Sequence, residues 1–116
     1  MQYLLLIYQS EAEVEKLGEA QLKQMHSDYM AFTQSIVQSG HFKGGDALQR
    51  SSTATTVRVR SGKTMTTDGP FAETREQLAG YYMVEAKDLD QAVTIAERIP
   101  SAKWGSVEVR PVRVFT

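Results

Sequence analysis

Apolar residues fall along the chain in a few distinct rhythms. Tyr3 to Tyr8 is an unbroken apolar run. Without polar alternation it predicts a strand covered on both faces, hence a central one. From Ser10 to Ser39 the pattern is helical. Leu22, Met25, Tyr29, Phe32 and Ile36 recur at three- and four-residue spacing and predict one buried stripe. Gly18 separates a short leading turn, Glu11 to Leu17, from the main helix. Gly40 stands where a helix C-terminal glycine is expected. His41 to Gln49 follows neither period, and Gly44-Gly45-Asp46 reads as a turn or bulge. Thr55 to Arg60 alternates, with Val57 and Val59 on one face and Thr56, Arg58 and Arg60 on the other. Ser61-Gly62 then predicts a tight turn into Lys63 to Thr67, giving a half-exposed hairpin.

The next segment is Asp68-Gly69-Pro70-Phe71, which reads as a sharp turn. Thr74 with Gln77 three residues on fits a capping box, so a short helix is predicted there, ending at Gly80. Tyr81 to Val84 is again apolar on both faces, a second central strand. Asp88 with Gln91 marks another helix start, Leu89, Ala92, Val93 and Ala96 its buried stripe, and Pro100 its end. Ser106 to Phe115 predicts the last strand. Its apolar parity changes at Pro111, which calls for a bulge or an edge position.

The order is β-α-β-β-α-β with an extra hairpin strand. It predicts an α+β sandwich of ferredoxin-like type, two helices on one face of a mostly antiparallel sheet. The first and third strands of that topology lie in the middle, and they are the Tyr3–Tyr8 and Tyr81–Glu85 segments, apolar on both sides. Helices cover only one face. A second copy packed sheet against sheet is the simplest cover for the other, so a two-fold homodimer of α/β-barrel type is expected.

Composition narrows the classes. A chain of 116 residues with 41% hydrophobic residues suits one domain, 1–116, with a modest core. The net charge is -1 and no Lys/Arg block stands out, which argues against direct nucleic-acid binding through phosphate neutralisation. With no cysteine there is no disulfide framework and no thiol chemistry. The apolar N-terminus lacks a basic leader and acidic residues follow at once, so a cytoplasmic protein without membrane association is expected.

Asp68-Gly69-Pro70-Phe71 with Glu73, Glu76, Gly80, Tyr81 and Tyr82 resembles the DGPF subgroup of the YCII-related domain family. The flanks agree: Thr55-Thr56-Val57-Arg58, Glu85-Ala86, Asp88-Leu89-Asp90 and Val107-Glu108-Val109-Arg110-Pro111-Val112. The resemblance covers nearly the whole chain. It implies ferredoxin-like units in a dimeric α/β barrel, and it names no secure activity. Some of the wider family are lyase- or dehydrochlorinase-type enzymes. Others are fused or adjacent to sigma-like transcription factors, which implies a functional link to such factors. The wider family's enzyme site pairs a His on the first long helix with an Asp. Counting back from Gly40 puts Tyr29 at that place and His26 one turn earlier.

Two residues are candidate catalytic groups, Asp68 and His26. Asp68 reads either as an Asx turn holding Gly69 and Pro70 or as a carboxylate facing a cleft. His26 reads as a helix-flank residue or as a titrating group. Candidate ligand contacts are Arg58, Glu73, Tyr29 and Tyr82. Arg58 offers a guanidinium fork to a carboxylate, or simply a solvated face. Glu73 suits a helix start electrostatically, and beside Asp68 it would make a carboxylate pair for acid–base work. The tyrosines read as core or interface aromatics whose hydroxyls find partners. His26 and His41 have no metal-ligand spacing with a carboxylate, so no metal is expected. Gly44-Gly45 follows no strand-to-helix unit, so no nucleotide loop or other cofactor is expected.

Two functions remain open on these residues. One is a dimeric module that binds a small molecule or a partner. The other is a cofactor-independent lyase- or isomerase-like enzyme moving a proton on a small acidic substrate.

Overall fold

The computed structural model describes residues 1–115. Its main sheet has four antiparallel strands in the order β2-β5-β1-β6. These are β1 (Gln2–Gln9), β2 (Phe42–Ala47), β5 (Gln77–Glu85) and β6 (Ser106–Pro111). β3 (Thr55–Arg60) and β4 (Lys63–Asp68) form a separate two-stranded sheet. The helices are α1 (Glu11–Glu15), α2 (Glu19–Gln38) and α3 (Leu89–Ala96). The fold is α+β, and the strand order is compatible with a ferredoxin-like unit. The two doubly apolar strands, β1 and β5, sit in the middle as their patterns require.

One sheet face carries the core. Tyr3, Leu5 and Ile7 of β1 and Tyr82 and Val84 of β5 pack with Phe32 and Ile36 of α2 and with Ala92, Ile95, Ala96 and Ile99. Along each strand the alternate residues point the other way. Leu4, Leu6, Tyr8 and Met83 therefore share the opposite face, where they are half-buried. The molecule is only 18 Å thick, the depth of one sheet plus one helix layer. No described helix is long and apolar enough to cross a membrane.

Several local expectations hold. Gly18 caps α2, and Gln21 reaches back to its amide at 3.0 Å. Gly40 takes the left-handed conformation (φ 82°), and His41 N–H donates to the Ile36 carbonyl to close the helix. Asp88 accepts from Gln91 N–H at 2.9 Å and starts α3. Ser61 and Gly62 both have positive φ and make the hairpin turn.

Other expectations fail for identifiable reasons. The helix predicted from Thr74 to Gly80 does not form. Residues 70–76 are irregular, and Gln77 already belongs to β5. The Gln77 side chain accepts from Glu11 N–H at 2.9 Å at the start of α1, while its amide nitrogen donates to the Thr74 carbonyl. Gly80 lies inside β5, paired with Ile7 on one side and Ala47 on the other. The segment His41–Gln49 is not irregular: it holds edge strand β2, with a register shift between Phe42 and Gly44. Its glycines hid the strand. Gly45 is required there, because a Cβ would come within 2.8 Å of the Tyr81 carbonyl oxygen. β6 stops at Pro111, on the sheet edge, so no bulge is needed to carry the strand past it. In α3 the buried residues are Ala92, Ile95 and Ala96, while Leu89 and Val93 stay exposed. In α2 the stripe is buried only at its C-terminal end. Leu22 is exposed and Met25 and Tyr29 are half-buried.

Candidate functional site

That partial burial of α2 leaves a hollow beneath its N-terminal half. On the helix-facing side of the sheet, β5 offers Gly80 and β2 offers Gly45 and Ala47. These residues present almost no side chain, so the sheet floor drops where the helix needs something to pack on. The resulting open cleft has a volume of about 1090 Å³. Its floor is Ile7, Gly45, Ala47 and Gly80, and Leu22, Met25, His26 and Tyr29 form the helix wall.

Polar groups converge at its inner end. The Tyr29 hydroxyl is hydrogen-bonded to Ser101 Oγ, and Ser101 Oγ–H donates to Gln9 Oε1 at 3.0 Å. Ser101 has one proton and gives it to Gln9. With that proton given to Gln9, Tyr29 is the donor in its bond to Ser101. Burial pushes the Tyr29 phenol above its ordinary pKa. It remains a neutral phenol throughout the physiological range. Beside it the Thr33 and Tyr82 hydroxyls share a hydrogen bond of 2.7 Å. Tyr82 is itself locked edge-on between Phe32 and Phe42, with ring centroids 5.2 and 6.4 Å away. The cleft is thus apolar with a small, ordered set of hydroxyl and amide groups, the make-up of a small-molecule site.

Of the residues singled out in the sequence, His26, Tyr29 and Tyr82 line this one cleft. Asp68, Glu73 and Arg58 do not. Asp68 ends β4, exposed, and pairs in register with Thr55. The turn after it is held by backbone and Thr56 instead: Gly69 N–H donates to the Ala54 carbonyl at 2.7 Å, and Thr56 Oγ–H donates to the Gly69 carbonyl at 2.8 Å. Glu73 is exposed in the irregular segment before β5. Arg58 is half-buried on β3 opposite Met65, and makes no ion pair among the described residues. Gln9 and Thr33 line the cleft, Ser101 is buried behind Tyr29 and Gln9, and the sequence reading missed all three. Ser101 is 72 positions from Tyr29 and 92 from Gln9, so no local pattern announces the trio.

A second hollow of about 930 Å³ lies on the other flank of α2, among Val14, Leu17, Phe32 and Trp104. Arg98 closes its inner wall, over the Phe32 ring at 5.6 Å and hydrogen-bonded to Ser35. It lacks the glycine floor and the Tyr29–Ser101–Gln9 chain. Among the described residues no three His, Cys, Asp or Glu side chains come together as metal ligands.

The fold and this cleft define a small α+β protein with a tyrosine-lined pocket between its long helix and its sheet. The YCII-related domain model matches residues 1–116, and the chain belongs to that family. It is similar to an uncharacterised protein of Rhizobium meliloti (strain 1021), with 32% identity over 117 residues, covering 99% of this chain and 94% of that protein.

Proposed function

We propose that this YCII-related protein, of DGPF type by its Asp68-Gly69-Pro70-Phe71 segment, is a dimeric module that binds a small molecule in the cleft beneath α2. The observation that carries the reading is the glycine-floored hollow with its ordered hydroxyls. Small residues at Gly45, Ala47 and Gly80 leave room, and Tyr29, Thr33 and Tyr82 line the cleft with their hydroxyls already ordered. The fitting ligand is largely apolar, with a polar group at the hydroxyl end of the cleft. Arg58, the group chosen for an acidic ligand, lies outside the cleft of its own chain, so the cleft itself favours a neutral molecule over a carboxylate.

Proton-transfer chemistry is the second reading. His26 at the wall and the neutral Tyr29 phenol put an imidazole and a hydroxyl at one cleft. Asp68 would join them only from a second chain.

The test is a two-dimensional NMR titration with phenol and, separately, benzoate. Phenol is expected to shift the amides of Gly45, Gly80 and Tyr29 saturably, and Tyr29→Phe to weaken the effect. Saturable benzoate binding at the same amides would restore the acidic-ligand version. No saturable change with either probe would end the binding reading.

A further inference from the structure

The β3–β4 hairpin stands apart from the rest of the chain. Its strands pair only with each other, and its root is closed by the Gly69–Ala54 and Thr56–Gly69 hydrogen bonds. The radius of gyration is 16.2 Å, against about 13 Å for a compact chain of this length. The molecule extends 48 Å along each of its long axes. A lone two-stranded hairpin is marginal in water. This one also has two different faces. Val57 and Val59 share a face with Thr64 and Thr66, free of charge as far as Asp68 at the root, while Arg58, Arg60 and Lys63 share the other. The two valines are 59% and 57% exposed. The chain thus carries two unpartnered apolar surfaces, the hairpin's valine face and the sheet face with Leu4, Leu6 and Met83.

Area argues that a second copy covers both. At the usual strand spacing and rise, a four-stranded face six residues long is about 20 Å square, so pairing two of them removes only about 800 Å² of surface. A stable interface needs about 1,600 Å². A six-residue hairpin face is about 10 by 20 Å, and two such arms, each laid on the other copy, add about as much again. The sheet face alone is therefore short of a stable dimer, and the arms close the gap.

We infer that the β3–β4 hairpin is an inter-subunit arm, its Val57–Val59 face seated on the second copy and its Arg58–Arg60–Lys63 face turned to solvent. This rests on the dimer reading above, and the experiment separates the two. Sedimentation velocity over a dilution series compares the wild-type chain with V57K/V59K. Both substitutions lie on exposed positions, and circular dichroism checks the fold. The variant is expected to dissociate at about a hundredfold higher concentration or more. Amide exchange of the wild type supplies a second readout: residues 57–66 are expected to be protected in the dimer and to lose that protection on dilution to monomer. A wild-type chain that stays monomeric overturns arm and dimer together. A wild-type dimer unaffected by V57K/V59K, or hairpin protection unchanged on dilution, overturns the arm and leaves the dimer standing.

Discussion

Ser101 shows how much one buried hydroxyl organises. It is fully buried, accepts a hydrogen bond from Tyr29 and donates one to Gln9. Ser101→Ala leaves the Tyr29 hydroxyl and the Gln9 carbonyl oxygen without that partner. The expected loss is about 1–3 kcal/mol of unfolding free energy by urea titration. Tyr29→Phe removes one bond and leaves the Ser101–Gln9 bond intact, so its cost should be the smaller, about 1 kcal/mol. Equal costs would show that the trio does not act as a chain. The tyrosines were legible in the sequence because an aromatic on a helical stripe announces itself. Ser101 was not, because a serine after a proline has no period to follow, and its role exists only once α2, β1 and the 100–103 turn meet.

At the scale of elements, α1 does more than its five residues suggest. Its first residue, Glu11, accepts hydrogen bonds from Ser51 N–H at 2.7 Å and Ser51 Oγ–H at 2.6 Å, and Glu15 pairs with Arg50. The helix therefore ties down the stretch that leads into the β3–β4 hairpin. Burial pushes the Glu11 carboxyl upward, but the two Ser51 hydrogen bonds and the nearby Arg50 charge outweigh it, leaving the pKa below its ordinary value of 4.5. The folded value is the depressed one. The stabilisation is therefore complete above the ordinary value and is lost as pH falls through the folded value. Thermal unfolding from pH 7 down to pH 3 should show a smaller acid-dependent fall in Glu11→Gln than in the wild type. Identical slopes would mean that the tie contributes nothing. The Thr74–Gly80 segment is the matching lesson. Its capping-box residues are real hydrogen-bonding groups, but β5 claims the backbone from Gln77 onward, and the Gln77 side chain serves α1. Local signals name a capping group without saying which helix it caps.

For the whole molecule, the proposed dimer rests on the open sheet face. Leu6 lies in a cross-strand row between Tyr81 and Glu108, with Asp46 beyond Tyr81. Tyr81 donates to Asp46 at 2.7 Å, and this hydrogen bond, followed by the charge itself, raises the Tyr81 pKa. An apolar centre flanked by carboxylates at both sheet edges suits a self-complementary contact only where the leucines meet. Light scattering at micromolar concentration should give the mass of two chains. Leu6→Glu should give one, because it sets a like charge against its own symmetry mate. A wild-type mass of 13.0 kDa would remove the dimer from the account.

The sequence by itself determined the elements whose period is strong. β1 and β5 were legible as central strands because both parities are apolar, and α2 and the hairpin turn because stripe, Gly40 and Ser61-Gly62 agree. It also placed His26 and Tyr29 on one helix. Only the tertiary structure decided that Gly45 and Gly80 face that helix and open a cleft beneath it. Glycine gives no side-chain signal, so a floor made of missing side chains becomes visible only when the strands are in register. The same holds for Asp68, Glu73 and Arg58. Asp68 and Glu73 were paired by spacing and Arg58 was chosen as a fork for a carboxylate, but the hairpin carries Arg58 and Asp68 away from the cleft, because β3 and β4 pair with each other and not with the main sheet.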